Sequence, residues 1–432
     1  MDITTLLTVA GLFLSIVAGN AALFGESLFA SIAVPKTLET AGFDKPTAER
    51  LFAAELAQFT RIPLILPTPN VSISSSPSVM MALAKPLQLQ DVVQAIQSQI
   101  RQDVASVSAA VLQDGPGKPL SMVVTVHAPP DAPATFTIQE PDGNVHNLVK
   151  AAARETMIVI APYRVALLDL SGVLSGDVNA LKKAEQTALR GLTQPWDPSP
   201  QGATELVLLH NLLGVLAILH HDTPAVQQHF RLALSTPGAV RSAYGLVALN
   251  GAFHALTERR TADARRLYEK GFAAVGSRSH DILSGRLKVL EALVTWQEGQ
   301  PFLAEGMLRE AKAASPNEVE PPYYLSQLAR DRGDMATAEE EQIAMRIAAR
   351  FDAHYASLAH TIYGLDVKTG VIDARAFLPD SVTFSKPPAA KPPPSPAAPA
   401  GAGPSGTAST GPAPTTPASA GTGGGRPAPP NP

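Results

Sequence analysis

Few residues in this chain are grouped for chemistry. His220-His221-Asp222 is the densest candidate metal cluster, since imidazole and carboxylate both ligate zinc and related ions. Adjacent residues on a helix point to different faces, however, so the two imidazoles are poorly placed to share one ion. The triplet also falls where an inter-helix turn is expected, and a solvated helix end accounts for it. His127, Glu140, Asp142 and His146 are the main titratable groups beside the strands expected over 62–160. They are types used in general acid–base catalysis, so a small-ligand or enzyme site in that region is a second functional hypothesis. No Ser–His–Asp set or spaced carboxylate pair stands out. The chain has no cysteine, which excludes disulfides, thiolate catalysis and Cys-ligated metals.

Two glycine-rich stretches invite a phosphate-binding reading and fail it. "GAGPSG" (401–406) has the G-x-G-x-x-G spacing, but it lies in a Pro/Ala/Gly tract with neither strand nor helix around it. "GPGKP" (115–119) lacks the P-loop spacing and reads as a hairpin turn. Arg259, Arg260, Arg265 and Arg266 form a basic patch, blunted by Glu258, Asp263 and Glu269. Glu339-Glu340-Glu341 reads as a solvated helix face. With a net charge of −4 there is no global basic signal for nucleic acid, and nothing implies a cofactor.

The elements that would position any site are clearer. Residues 207–349 divide into four helix–turn–helix units on one template: a small residue, another twelve residues later, a bulky one four further and a small one three beyond. The units carry Gly214, Val226, Phe230, Ala233; Ala252, Ala264, Tyr268, Gly271; Ala292, Ala304, Leu308, Ala311; and Ser326, Ala338, Gln342, Met345. Their starts are 38, 40 and 34 residues apart. Small residues let antiparallel helices approach closely, bulky ones fill the gap to the next unit, and no unit buries its apolar face alone.

This pattern, best seen in "GDMATAEEEQIAM" (333–345) and "LLGVLAILHHDTPAVQQHFRLALSTP" (212–237), resembles the tetratricopeptide repeat (TPR) family. The resemblance implies a helical solenoid over 203–365 and a concave face lined by the first helix of each unit. Carried over position by position, that face holds Asn211, Val215, Ile218, Leu249, Asn250, Phe253, Val289, Leu293, Trp296, Tyr323, Gln327 and Arg330. These are mainly apolar, so the Lys/Asn carboxylate clamp of some members is missing. A protein or peptide partner in the groove is expected, as an amphipathic helix or extended apolar segment. Phe253 and Trp296 read equally well as core between repeats.

The remainder completes an α+β multidomain chain. Residues 4–25 are uncharged and long enough to span a bilayer as a single-pass anchor; a cleaved signal peptide, leaving a soluble exported protein, is the rival. The basic residues after the span fix no orientation. A small α/β domain follows over 46–161: a helix (46–60), extended "IPLIL" (62–66) and "NVSIS" (70–74), an amphipathic helix (87–104), strands at 106–112, 120–128 and 134–140, and a closing helix (144–161). This order resembles the TolB N-terminal and curli-transport (CsgG-like) modules, which implies a docking role in a bacterial envelope. Residues 162–202 form a helical connector and Pro-rich linker in which Trp196 is placed to pack on the first repeat. Residues 386–432 have the composition of a disordered spacer. Together these features lead to the expectation of a scaffold at a bacterial inner membrane, without enzyme activity.

Overall fold

The structure is a computed structural model, and it describes residues 27–60, 72–74, 106–113, 118–127, 133–175, 177–196, 198–276, 282–349 and 364–373. The apolar segment 4–25, the strand expected at 62–66, the helix expected over 87–104 and the tail 386–432 lie outside the described residues. What is described is an α+β chain, a mixed sheet near the N-terminus followed by helices.

The sheet has strands β1 (Ser27–Ala33), β2 (Ser72–Ser74), β3 (Ser106–Gln113), β4 (Leu120–His127) and β5 (Ala134–Glu140), in the order β2-β1-β3-β4-β5. β1 pairs parallel with β2 and β3, and the β3–β4 and β4–β5 pairs are antiparallel. Gln113 faces Leu120 across the first antiparallel pair; most of "GPGKP" lies outside the described residues. Strand alternation buries Val107, Ala109 and Val111 of β3, and Leu120, Met122, Val124 and Val126 of β4. A period of two puts each set on one face of the sheet.

That face is covered by α2 (Lys45–Thr60) and α3 (Val145–Ile160), after a short α1 (Lys36–Thr40). α2 buries Phe52, Leu56 and Phe59, the stripe that its helical spacing predicts. Asn144 caps α3, its side chain accepting from the His146 and Asn147 N–H groups. The interior strand β1 has no counterpart among the sequence expectations, which began the domain at residue 46. "SLFASIA" (27–33) directly follows the apolar 4–25 stretch and reads as its tail, although its alternation is that of a strand.

α4 (Pro162–Ser171), a 3-10 turn (Gly172–Ser175) and α5 (Ala180–Leu192) connect the sheet to the helical array. The Arg154 guanidinium donates to both Asp169 oxygens, at 2.8 and 2.7 Å, and Thr187 donates to Asp169 at 2.7 Å. This fork ties α3, α4 and α5 together. Trp196 is half-buried against the helical core and donates to the Gly191 carbonyl.

Four helical hairpins follow: α6 (Pro200–Leu219) with α7 (Thr223–Ser235), α8 (Arg241–Thr257) with α9 (Thr261–Val275), α10 (Ile282–Gln297) with α11 (Pro301–Ala314), and α12 (Glu320–Asp331) with α13 (Met335–Ala349). α6 starts inside the expected linker because Ser199 caps it and Pro200 suits a first turn. By length and composition α6 could cross a membrane, but it is mostly buried among the other helices. Most of the spaced small and bulky residues are buried between the helices. A Cβ on Gly214 would lie 2.5 Å from the Phe230 ring, and Ala252, Ala264, Ala292, Ala304 and Leu308 are fully buried. Gln342 and Met345, the loose fits, are half-buried.

The four turns share one geometry. Each has three residues, and the middle one has positive φ: His221 at 56°, Arg259 at 57°, Gly299 at 85° and Gly333 at 79°. In each, the third residue's N–H donates five residues back: Asp222 to Ala217, Arg260 to Ala255, Gln300 to Thr295 and Asp334 to Ala329. These bonds satisfy carbonyls that a helix end leaves open. Finally, β6 (Gly364–Leu365) and β7 (Ile372–Asp373) pair as a small antiparallel hairpin. The expected all-helical block to residue 365 thus ends in a strand.

Candidate functional site

The first helices α6, α8, α10 and α12 form the face expected to bind a partner. Nine of its twelve expected residues (Asn211, Val215, Ile218, Leu249, Asn250, Phe253, Val289, Leu293 and Trp296) are buried. Tyr323 and Gln327 are half-buried and Arg330 is exposed. α6 packs on α8 and α8 on α10, so these buried side chains fill the helix stack. One bond joins Asn211 and Asn250: the Asn250 Nδ2 donates to Asn211 Oδ1 at 2.9 Å, with both side chains fully buried and their other amide atoms, Asn211 Nδ2 and Asn250 Oδ1, without a hydrogen-bond partner among the described residues.

At the α8–α10–α12 end, the 364–373 hairpin lies on this face. Gln327 bonds it twice, its Nε2 donating to the Leu365 carbonyl at 2.9 Å and its Oε1 accepting from the Val367 N–H at 3.3 Å. The Gln297 Nε2 donates to the Val367 carbonyl at 3.4 Å and to the Leu256 carbonyl at 2.9 Å. Leu365 and Val367 are buried as members of the apolar cluster that runs through the helical array, and Ile372 packs against that cluster. Burying two such side chains stabilises the contact by about 3–5 kcal/mol. Lys368 pairs with Asp331 at 2.8 Å, an exposed bridge of small effect.

The hairpin turn is built for this seat. Asp366 Oδ1 accepts from the Lys368 and Thr369 N–H groups at 3.0 and 2.8 Å, and Gly370 has φ +75°. A Cβ on Gly370 would stand 2.5 Å from the Thr257 carbonyl oxygen, which is backbone and cannot swing aside. Only glycine satisfies both conditions.

The chain matches no protein-family model and no characterised protein.

The other candidates have ordinary structural duties. Asp222 caps α7 by accepting from the Ala225 N–H at 3.1 Å, and His221 is the left-handed turn residue. Among the described residues, no three His, Cys, Asp or Glu side chains gather as a metal set. His127 and Glu140 sit at opposite ends of β4, since Glu140 faces Leu120; seven residues of strand separate them by roughly 23 Å. His146 instead lies 3.6 Å from Glu55 of α2. Three of the four patch arginines are paired: Arg260 with Glu258 and Asp263, Arg266 with Asp263, and Arg265 with Glu298 of the next hairpin rather than Glu269. Glu341 is not solvated. It is buried and bonds Lys312 of α11 at 2.6 Å. On the outer side, a cleft of about 450 Å3 between α7, α8 and α9 is lined by Phe230, Arg231, His254 and Leu267.

Two titratable clusters join elements. The Nδ1 atoms of His210 on α6 and His229 on α7 lie 3.2 Å apart. Burial, then the neighbouring imidazole, lowers His210 to about 4, and burial lowers His229. Glu205 of α6 accepts from the Tyr163 N–H of α4 at 2.7 Å. Burial raises its carboxyl to about 7, against the pull of that N–H and of Arg164.

The sequence expectations missed Gln297, Asp331, Leu365, Val367 and Gly370. A signal for them exists in "GLDVKTGVI" (364–372): apolar residues flanking an Asp-x-Lys-Thr-Gly turn, which is hairpin chemistry. Placed at the edge of a helical block, it passes for the end of the last repeat.

Proposed function

We propose that this chain is a membrane-tethered, TPR-like scaffold that holds an extended segment of a protein partner on the face of its first helices. One observation supports this most. The Gln327 amide bonds the Leu365 carbonyl, at the end of β6, and the Val367 N–H, in the turn that follows, so it reads main chain whatever its sequence. Leu365 and Val367, buried in the apolar core of the array, supply the hydrophobic term. Residues 4–25 serve as the single-pass anchor, in a bacterial inner membrane. The sheet domain is a docking module beside it, and the role is non-enzymatic, with neither nucleic acid nor cofactor.

The test is crosslinking and pull-down from membranes of the source cell. Intact chain is compared with Tyr323→Glu/Arg330→Glu, which alters the accessible rim of the face. Partners lost with the variant support the scaffold reading. A partner set that does not change contradicts it.

A further inference from the structure

The hairpin does not behave as an end cap. A cap covers the last unit of a stacked array, and among the described residues the hairpin leaves Met335, Ile343 and Ile347 of α13 at least half exposed. The hairpin instead reaches back to three units, touching Thr257 of α8, Gln297 of α10, and Gln327 and Asp331 of α12. A hairpin this short is marginal by itself, so its shape depends on the face that holds it.

We infer that residues 364–373 are a resident ligand of the first-helix face, and that the partner is a protein segment of the same chemistry that displaces them. This rests on the scaffold reading above. The recognised pattern is apolar–Asp–apolar–Lys–x–Gly. The two apolar residues fill the seat, the Asp closes the turn, the Lys meets Asp331, and the Gly passes under the Thr257 carbonyl. The hairpin belongs to the same chain as the face, with only fourteen residues between it and α13, so it meets the face at an effective concentration on the order of millimolar. A partner must therefore compete with the chain's own segment, and its apparent affinity falls by the fraction of faces left open.

The test uses a fluorescent synthetic peptide, GLDVKTGVID, and the full chain. Two variants release the resident hairpin differently: Gly370→Ala by backbone clash, and Leu365→Asp/Val367→Asp by carrying charge into the apolar seat. Each is also made with Gln327→Ala. The expected result is peptide binding at least ten-fold tighter to a release variant than to the wild-type chain, with the gain lost when Gln327→Ala is added. Binding no tighter in either release variant overturns the inference. A concentration-dependent dimer of wild-type chain that the free peptide dissolves also overturns it, by assigning the seat to a second copy. A ten-fold gain without loss of cellular partners in the rim variant leaves the resident ligand in place and removes only the scaffold reading.

Discussion

Gln327 holds Val367 through an amide-to-backbone bond at 3.3 Å, while the other end of the same amide holds the Leu365 carbonyl at 2.9 Å. One side chain thus fixes the register of the hairpin on α12. Gln327→Ala removes both bonds, worth about 1–2 kcal/mol together. That loss raises the open population of the hairpin roughly five- to thirty-fold. Trypsin reads it directly, because Lys368 is held by the closed form. Cleavage after Lys368 should accelerate by that factor, with the array otherwise intact. Unchanged cleavage would remove Gln327 from the seat.

The shared turn geometry predicts stabilising changes. His221 and Arg259 occupy left-handed positions that Gly299 and Gly333 hold in the other two units. A side chain there costs about 1 kcal/mol. His221→Gly and Arg259→Gly should each raise stability slightly, by up to about 0.6 kcal/mol after the added freedom of the unfolded chain. A drop in either variant would mean that the side chain contributes more than its backbone strain costs.

Much of the array is legible in sequence because packing imposes spacing. Gly214, Ala252 and Ala292 recur where helices approach, and Phe230, Tyr268 and Leu308 recur where they fill. The face was harder to read. Spacing places Asn211, Asn250 and Phe253 on the first helices, but it does not say whether those positions meet solvent or the adjoining helix. Long-range partners such as Lys312 for Glu341, or the hairpin for Gln327, leave no periodic trace. β1 was hidden because an apolar segment precedes it and masks its own short alternation.

Two glycine substitutions separate contact from propensity. Alanine favours a helix over glycine by about 1 kcal/mol. At Gly306 on α11 a Cβ meets nothing within 4 Å, so Gly306→Ala should gain most of that. At Gly214 the Cβ would strike the buried Phe230 ring at 2.5 Å. Displacing the ring costs about 1–3 kcal/mol, so Gly214→Ala should lose stability despite its better propensity. Chemical denaturation of both variants checks the contrast, and equal gains would contradict the close approach of α6 and α7.

The buried Asn pair predicts non-additivity. Asn250→Leu leaves the Asn211 amide buried without its partner and should cost about 1–3 kcal/mol, as should Asn211→Leu. The double variant should cost less than the sum, because neither amide is then stranded. Additive losses in denaturant would indicate that the two amides act independently.

Acidity acts on the junctions in two opposite senses. Folded His210, at about 4, lies below its unfolded value near 6.5. Its stability contribution is full above 6.5 and is lost as pH falls toward 4. Folded Glu205, at about 7, lies above its unfolded value of 4.5. It favours folding at low pH, and that contribution is lost as pH rises from 4.5 to 7. Glu205→Gln should therefore make stability rise more steeply with pH across 4.5–7, and His210→Phe should flatten the decline below 6.5. Denaturation midpoints measured across pH 4–8 test both slopes.

The central claim is that the first-helix face is a seat for an extended segment and that residues 364–373 occupy it. Amide hydrogen exchange of the intact chain tests this most directly. The N–H groups of Asp366, Val367 and Gly370 are bonded to Val371, Gln327 and Asp366 respectively. Their exchange should be at least ten-fold slower than in the free peptide GLDVKTGVID, with Val367 losing its protection in Gln327→Ala. Exchange at the rate of the free peptide in the intact chain would contradict the claim.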